Sequence, residues 1–182
     1  MQHQQPHPNR EANVMTDLTG KQLLAALAVD DGIERASVEI ESASSTVSDA
    51  RRFVRKQLGT WGFSDGDELI DRVVLAVSEL VTNAVLHART QSSAESELIG
   101  LSLTFKRECA LGVLVTDNSD APPLLTARPS VSTDHGRGLA IVNSIADGWT
   151  AVPRQGRNGE EGKGVWAFFQ CAQAAGVAPH LS

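Results

Sequence analysis

The chain has 182 residues, 41% of them hydrophobic and 21% charged, with a formal net charge of −6. That is enough for one domain with a real core and flanking tails, while the acidic balance without a basic stripe argues against a nucleic-acid partner. No apolar run approaches the roughly 20 residues of a membrane span, and the polar N-terminus lacks the apolar middle of a secretion signal, so a cytoplasmic protein is expected.

Residues 1–17, rich in Gln, His and Pro, read as a disordered tail. The segment LTGKQLLAALAVDDG that follows predicts a short helix, and ASVEIE over 36–41 alternates with period two, predicting a strand. From Ser44 to Trp61 the stripe Val47, Ala50, Phe53, Val54 and Leu58 predicts a helix, with Thr46 and Ser48 as candidate caps and Gly59 and Gly62 closing it. SDGDE at 64–68 starts another, its acids complementing the helix dipole, and the apolar pattern carries it to Ala88. A polar loop over 89–96 leads to LIGLSLTFK (98–106) and ALGVLVTD (110–117), a hairpin of two strands. The stretch 118–134, with three prolines, reads as a long loop of the kind that carries function. A helix over 138–147 and strands over 148–152 and 163–171 complete the order, before a tail at 172–182 without clear signal. Residues 18–171 are thus expected to form one domain. Clustered hairpins with interposed helices imply an α+β two-layer sandwich, a mixed, mostly antiparallel sheet covered on one face by helices.

The most informative segment is ELVTNAVLHA, residues 79–88. Glu79, Asn83 and His87 follow one another at i, i+4 steps and share a face of the helix. Their neighbours are almost all Val, Leu or Ala, which marks a buried helix. A carboxylate and an amide there are costly unless hydrogen-bonded or coordinating something. A divalent cation carrying phosphates would satisfy both, since an amide oxygen is a hard ligand suited to Mg²⁺. Two other elements would converge on them if the helices share one face of the sheet. Asp117 ends a strand, where its carboxylate could accept a hydrogen bond from an exocyclic amine such as that of adenine. The run His135-Gly136-Arg137-Gly138-Leu139 opens a helix, where glycines let backbone amides approach an anion.

In this order the three elements resemble the GHKL ATPase superfamily, the group of gyrase, Hsp90, histidine kinases and MutL. ELVTNAVLHA is similar to its N box, VTDNSDAPP and HGRGLAIVNSIADGW to its glycine-box positions, and GKGVWAFF to its closing strand. The resemblance covers about 36–170 and is nearest to the stand-alone anti-sigma-factor serine/threonine kinases of the RsbW and SpoIIAB type, as found in actinobacteria. It implies the Bergerat ATP-binding fold, with ATP and Mg²⁺ as cofactors. It further implies that Asn83 ligates the metal, that Glu79 orients or deprotonates the attacking hydroxyl, and that Asp117 binds the adenine amine. Gly136, Arg137, Gly138 and Leu139 would line the phosphates, with a nucleotide contact from His87, under a lid formed by 120–135. The implied substrate is a Ser or Thr of a STAS-type anti-anti-sigma partner. The protein could also sequester a sigma factor, and relatives often form homodimers.

Where the wider superfamily has Asp-x-Gly-x-Gly, this chain has Asp117-Asn118-Ser119-Asp120-Ala121, and both glycines are gone. Ser at the third position is common in the anti-sigma group. The competing function is an ATP-binding regulatory switch without effective phosphotransfer. A histidine-kinase fragment is disfavoured by the lack of a dimerisation helix pair with an accepting histidine. Lys163 reads as a solvated lysine in a glycine-rich turn, with a γ-phosphate contact as the alternative. Trp149 and Trp166 read as core or cross-strand packing. Cys109 and Cys171, far apart and without metal-type spacing, read as reduced thiols.

Overall fold

The structure, a computed structural model, describes residues 21–28, 31–88, 98–118, 138–155 and 161–171. The expected tails, the loop at 89–96 and the loop beyond Asn118 lie outside the described residues. A short helix α1 (21–28) is followed by strand β1 (Ile33–Glu41), helix α2 (Thr46–Thr60) and helix α3 (Glu68–Ala88). Strands β2 (Leu98–Lys106) and β3 (Ala110–Asp117) come next, then helix α4 (Gly138–Ile145) and strands β4 (Gly148–Gln155) and β5 (Glu161–Gln170).

The five strands form one sheet in the order β1-β2-β3-β5-β4, and each of its four ladders is antiparallel. The parallel component expected from the sequence is therefore not present among the described strands. Alternation assigns the faces. Leu101, Leu103 and Phe105 of β2, Leu111, Val113 and Val115 of β3, and Val165, Ala167 and Phe169 of β5 all turn towards α2, α3 and α4. There they meet Ala50, Val54 and Leu58 of α2, Val73, Val77 and Val81 of α3, and Leu139 and Val142 of α4, all buried. The opposite face is not bare. Leu23 and Leu27 of α1 cover Ala110 and Phe168 in a second, smaller core. Among the described residues, helices thus lie on both faces, the main layer on one and the short α1 on the other.

The α2 boundaries show which local signals matter. Thr46, wholly buried, accepts from the Ala43 N–H at 2.7 Å, and its Oγ1 lies 2.7 Å from the Glu41 carbonyl. Its hydroxyl ties the end of β1 to the start of α2. Ser45 takes the N-cap position without a side-chain cap bond. Gly59 is inside the helix, and Gly62 supplies the left-handed residue (φ 94°) that follows it. Trp61 then stacks on Phe105 with ring centroids 5.4 Å apart.

Trp149 and Trp166 are not partners. Trp149 pairs in register with Ala167 and packs on the main core, whereas Trp166 pairs with Thr150 and stacks on Phe168, 5.6 Å between centroids, in the smaller core. One residue of offset places them on opposite faces. Beyond β3 and β5 the ladder gains one more bond, from the Cys171 N–H to the Cys109 carbonyl at 3.1 Å. Both thiols are free and half-buried.

Candidate functional site

Helix α3 builds the site along one stripe. Arg72, Glu79 and Asn83 are seven and four residues apart, two turns and one turn, so they project from the same side. That side meets α4. At one end, Arg72 donates to the Ile145 carbonyl at 2.9 Å and to Asp147 at 3.1 Å, and its guanidinium lies 5.6 Å from the centre of the Phe169 ring. Asp147 in turn accepts from the Gln170 N–H at 2.8 Å. At the other end, Gly138 sits against Glu79 and Asn83. A Cβ built on Gly138 would lie 3.0 Å from Asn83 Nδ2, 3.1 Å from Glu79 Oε2 and 3.3 Å from Asn83 Oδ1. The two helices therefore run antiparallel, and α4 is held by its C-terminal end so that its first residue abuts the carboxylate and the amide. Only a residue without Cβ allows this approach undisturbed.

The helix opening expected to meet an anion thus stands beside the Glu-x-x-x-Asn pair, as the sequence implied. The Leu139 side chain is buried in the main core, so a contact between this residue and a phosphate would fall to its main chain. Gly136 and Arg137 lie outside the described residues, as do the lid at 120–135 and the side chain of His87, whose backbone is the next turn of α3.

Asp117, the acid expected to read the base, ends β3. It shares the face of Val113 and Val115 and is 5% exposed. Directly across the β3–β5 ladder stands Lys163, with its Nζ 3.8 Å from Asp117 Oδ1. The solvated lysine expected from the sequence is thus corrected: at 7% exposure Lys163 is buried, paired with the carboxylate thought to read the base. Gly162 makes the approach possible, because a Cβ there would fall 2.6 Å from the Asp117 carbonyl oxygen. No local pattern around Lys163 announces this partner. The strand register does, through the one-to-one pairing of VTD at 115–117 with KGV at 163–165.

A metal at this site would have few protein ligands. Among the described residues no group of three or more His, Cys, Asp or Glu side chains is placed to hold one. The Asn83 oxygen with Glu79 one turn away still suits Mg²⁺, which keeps several waters and binds through one or two protein oxygens plus substrate phosphates.

A sheet with a helical layer, a helix opening against Glu-x-x-x-Asn and an acid at a strand end define a nucleotide-binding ATPase-like domain. Residues 40–167 match the model of the histidine kinase-like ATPase domain, and the chain belongs to that family. The α+β fold and the superfamily expected from the sequence are the ones found. Among solved structures, a chain of the SiaB–SiaC complex from Pseudomonas aeruginosa is similar in fold, with a TM-score of 0.55 over 81% of this chain and 97% of that one, at 10% identity. No curated protein sequence matches significantly. Among the described residues no helix is long and apolar enough to cross a membrane.

Proposed function

We propose that the protein is an ATP- and Mg²⁺-dependent serine/threonine protein kinase and anti-sigma regulator of the RsbW and SpoIIAB type, working in the cytoplasm through one domain over 18–171. The observation that carries this is the contact of Gly138 with both Glu79 and Asn83. It sets a helix N-terminus, a hard oxygen ligand and a carboxylate around one point, which is what phosphoryl transfer requires of a protein.

The residues divide the work. The main-chain N–H groups at the start of α4 receive phosphate oxygens. Asn83 Oδ1 would hold the cation, which when bound would neutralise charge on the transferred group. Glu79 accepts the proton of the attacking hydroxyl as its oxygen bonds the γ-phosphorus and the bond to ADP breaks. Asp117 accepts a hydrogen bond from the adenine amine. The substrate in this reading is a Ser or Thr of a STAS-type antagonist, and the added phosphate breaks that complex by charge repulsion and frees the kinase to hold a sigma factor. That the structural neighbour was solved as a two-protein complex supports a regulator that works by exchanging partners, and a homodimer is the assembly we expect.

Calorimetric titration with ATP, with and without Mg²⁺, tests the reading. Wild type should bind in a magnesium-dependent way, Asn83→Ala should lose the magnesium dependence, and Asp117→Asn should weaken binding with either. Binding by wild type that never yields a phosphorylated partner would favour the ATP-binding switch over the kinase. Absence of binding would overturn both.

A further inference from the structure

Lys163 is the buried charge that the proposed chemistry leaves unused. It is 7% exposed, and an ammonium taken out of water needs a compensating partner. Its place is set by the ladder, since it is the register partner of Asp117. Gly162 lets β5 press against the Asp117 carbonyl, and Gly164 takes the other side, where a Cβ would lie 2.9 Å from Leu114. A glycine on each side of a buried lysine lets its backbone sit this deep in the ladder. At 3.8 Å from Asp117 Oδ1 the ammonium is beyond hydrogen-bond range, so it acts on the carboxylate as a nearby point charge. Both residues make further interactions besides this pair.

What such a charge does follows from the donor and acceptor inventory. An ionised carboxylate only accepts hydrogen bonds, whereas a protonated one also donates. Burial favours the protonated form and a cation at this distance opposes it. A carboxylate held ionised receives a 6-amino group and repels a 6-carbonyl, while a neutral carboxyl would tolerate either. Resting on the reading of Asp117 as the base-recognising acid, we infer that Lys163 is the positioning residue that keeps Asp117 an acceptor and so sets selectivity for 6-aminopurine over 6-oxopurine nucleotides.

The test is calorimetric titration of wild type, Lys163→Met and Lys163→Arg with ATP and with inosine triphosphate, which differ at the purine 6 position and the adjacent ring nitrogen. Wild type should prefer ATP, Lys163→Met should shrink that preference by roughly tenfold or more, and Lys163→Arg should restore most of it. Lys163→Gln, with a polar head in the same place, carries the same expectation should the methionine variant not fold. A purely structural lysine would lower both affinities by one factor and leave their ratio unchanged, and that result overturns the inference while the ATP site stands. A wild type that binds neither nucleotide overturns the proposed function and this inference with it.

Discussion

Gly138 is the residue at which shape and chemistry meet. The atoms a methyl group there would touch are the ends of the Glu79 and Asn83 side chains, 3.0–3.3 Å away, and these can give by a few tenths of an ångström. The advantage of alanine over glycine, about 1 kcal/mol in a helix interior, is smaller at this first position. Gly138→Ala is therefore expected to leave the urea midpoint unchanged or slightly raised, while magnesium-dependent ATP affinity falls roughly three- to tenfold, because small misplacements of positioning groups are expensive. Parallel denaturation and calorimetry would check the split. Cys171 offers a second test at this scale. Burial, with the nearby Cys109 and Asp147, pushes its thiol up from an ordinary 9.0 to about 11. Between those values the unfolded chain releases a proton that the folded chain keeps, so stability is complete below pH 9 and declines towards pH 11. The chain has no tyrosine to add its own titration there. Urea midpoints at pH 8.5 and 10.5 should fall less in Cys171→Ala than in wild type.

Among the elements, α4 is the one whose position decides the proposed site, and its described residues are Gly138–Ile145. Its placement depends on Arg72, which reaches it from α3 through Ile145 and Asp147. Both members of the ion pair keep 31% side-chain exposure, so solvent screens much of their attraction. The bond to the Ile145 carbonyl adds a charge-assisted term of about 1.5–3 kcal/mol at most. Arg72→Met is expected to lower stability by about 1–2 kcal/mol and also to weaken ATP binding, although Arg72 lies two turns from Glu79. Calorimetry at a temperature where the variant is fully folded separates the two effects. A loss of stability with affinity intact would mean that the contact with α3 alone positions α4.

On the scale of the whole molecule, the type and order of the described elements were legible in the sequence, most clearly where the period is clean, as in β1 and in the apolar stripe of α2. The sequence placed Glu79 and Asn83 on one face, and it placed Gly138 at a helix opening. It did not show what joins elements far apart in the chain. Lys163 looked like a turn residue because it is flanked by glycines; only the register of β5 against β3 places it opposite Asp117. Trp149 and Trp166 were read as core or cross-strand packing; each does pack on a core, but the one-residue offset in register puts them on opposite faces of the sheet. The start of β1 at Ile33 rather than Ala36 extends the alternation past charged residues whose side chains have water to one side.

The strand order has a consequence for how other proteins can approach. With β1 and β4 at the rims, the sheet would invite a foreign strand to dock at either side, and each rim discourages it differently. In β1 the residues Glu34, Arg35, Glu39 and Glu41 put charge on both faces of the outermost strand. In β4, Pro153 stands opposite Lys163 within the ladder and lacks an N–H to offer a newcomer. Such rims resist strand addition and the aggregation that follows from it. Among the described strands, then, a partner of the kind proposed above would be met by the helical layer and the opening beside α4, and read by its side chains.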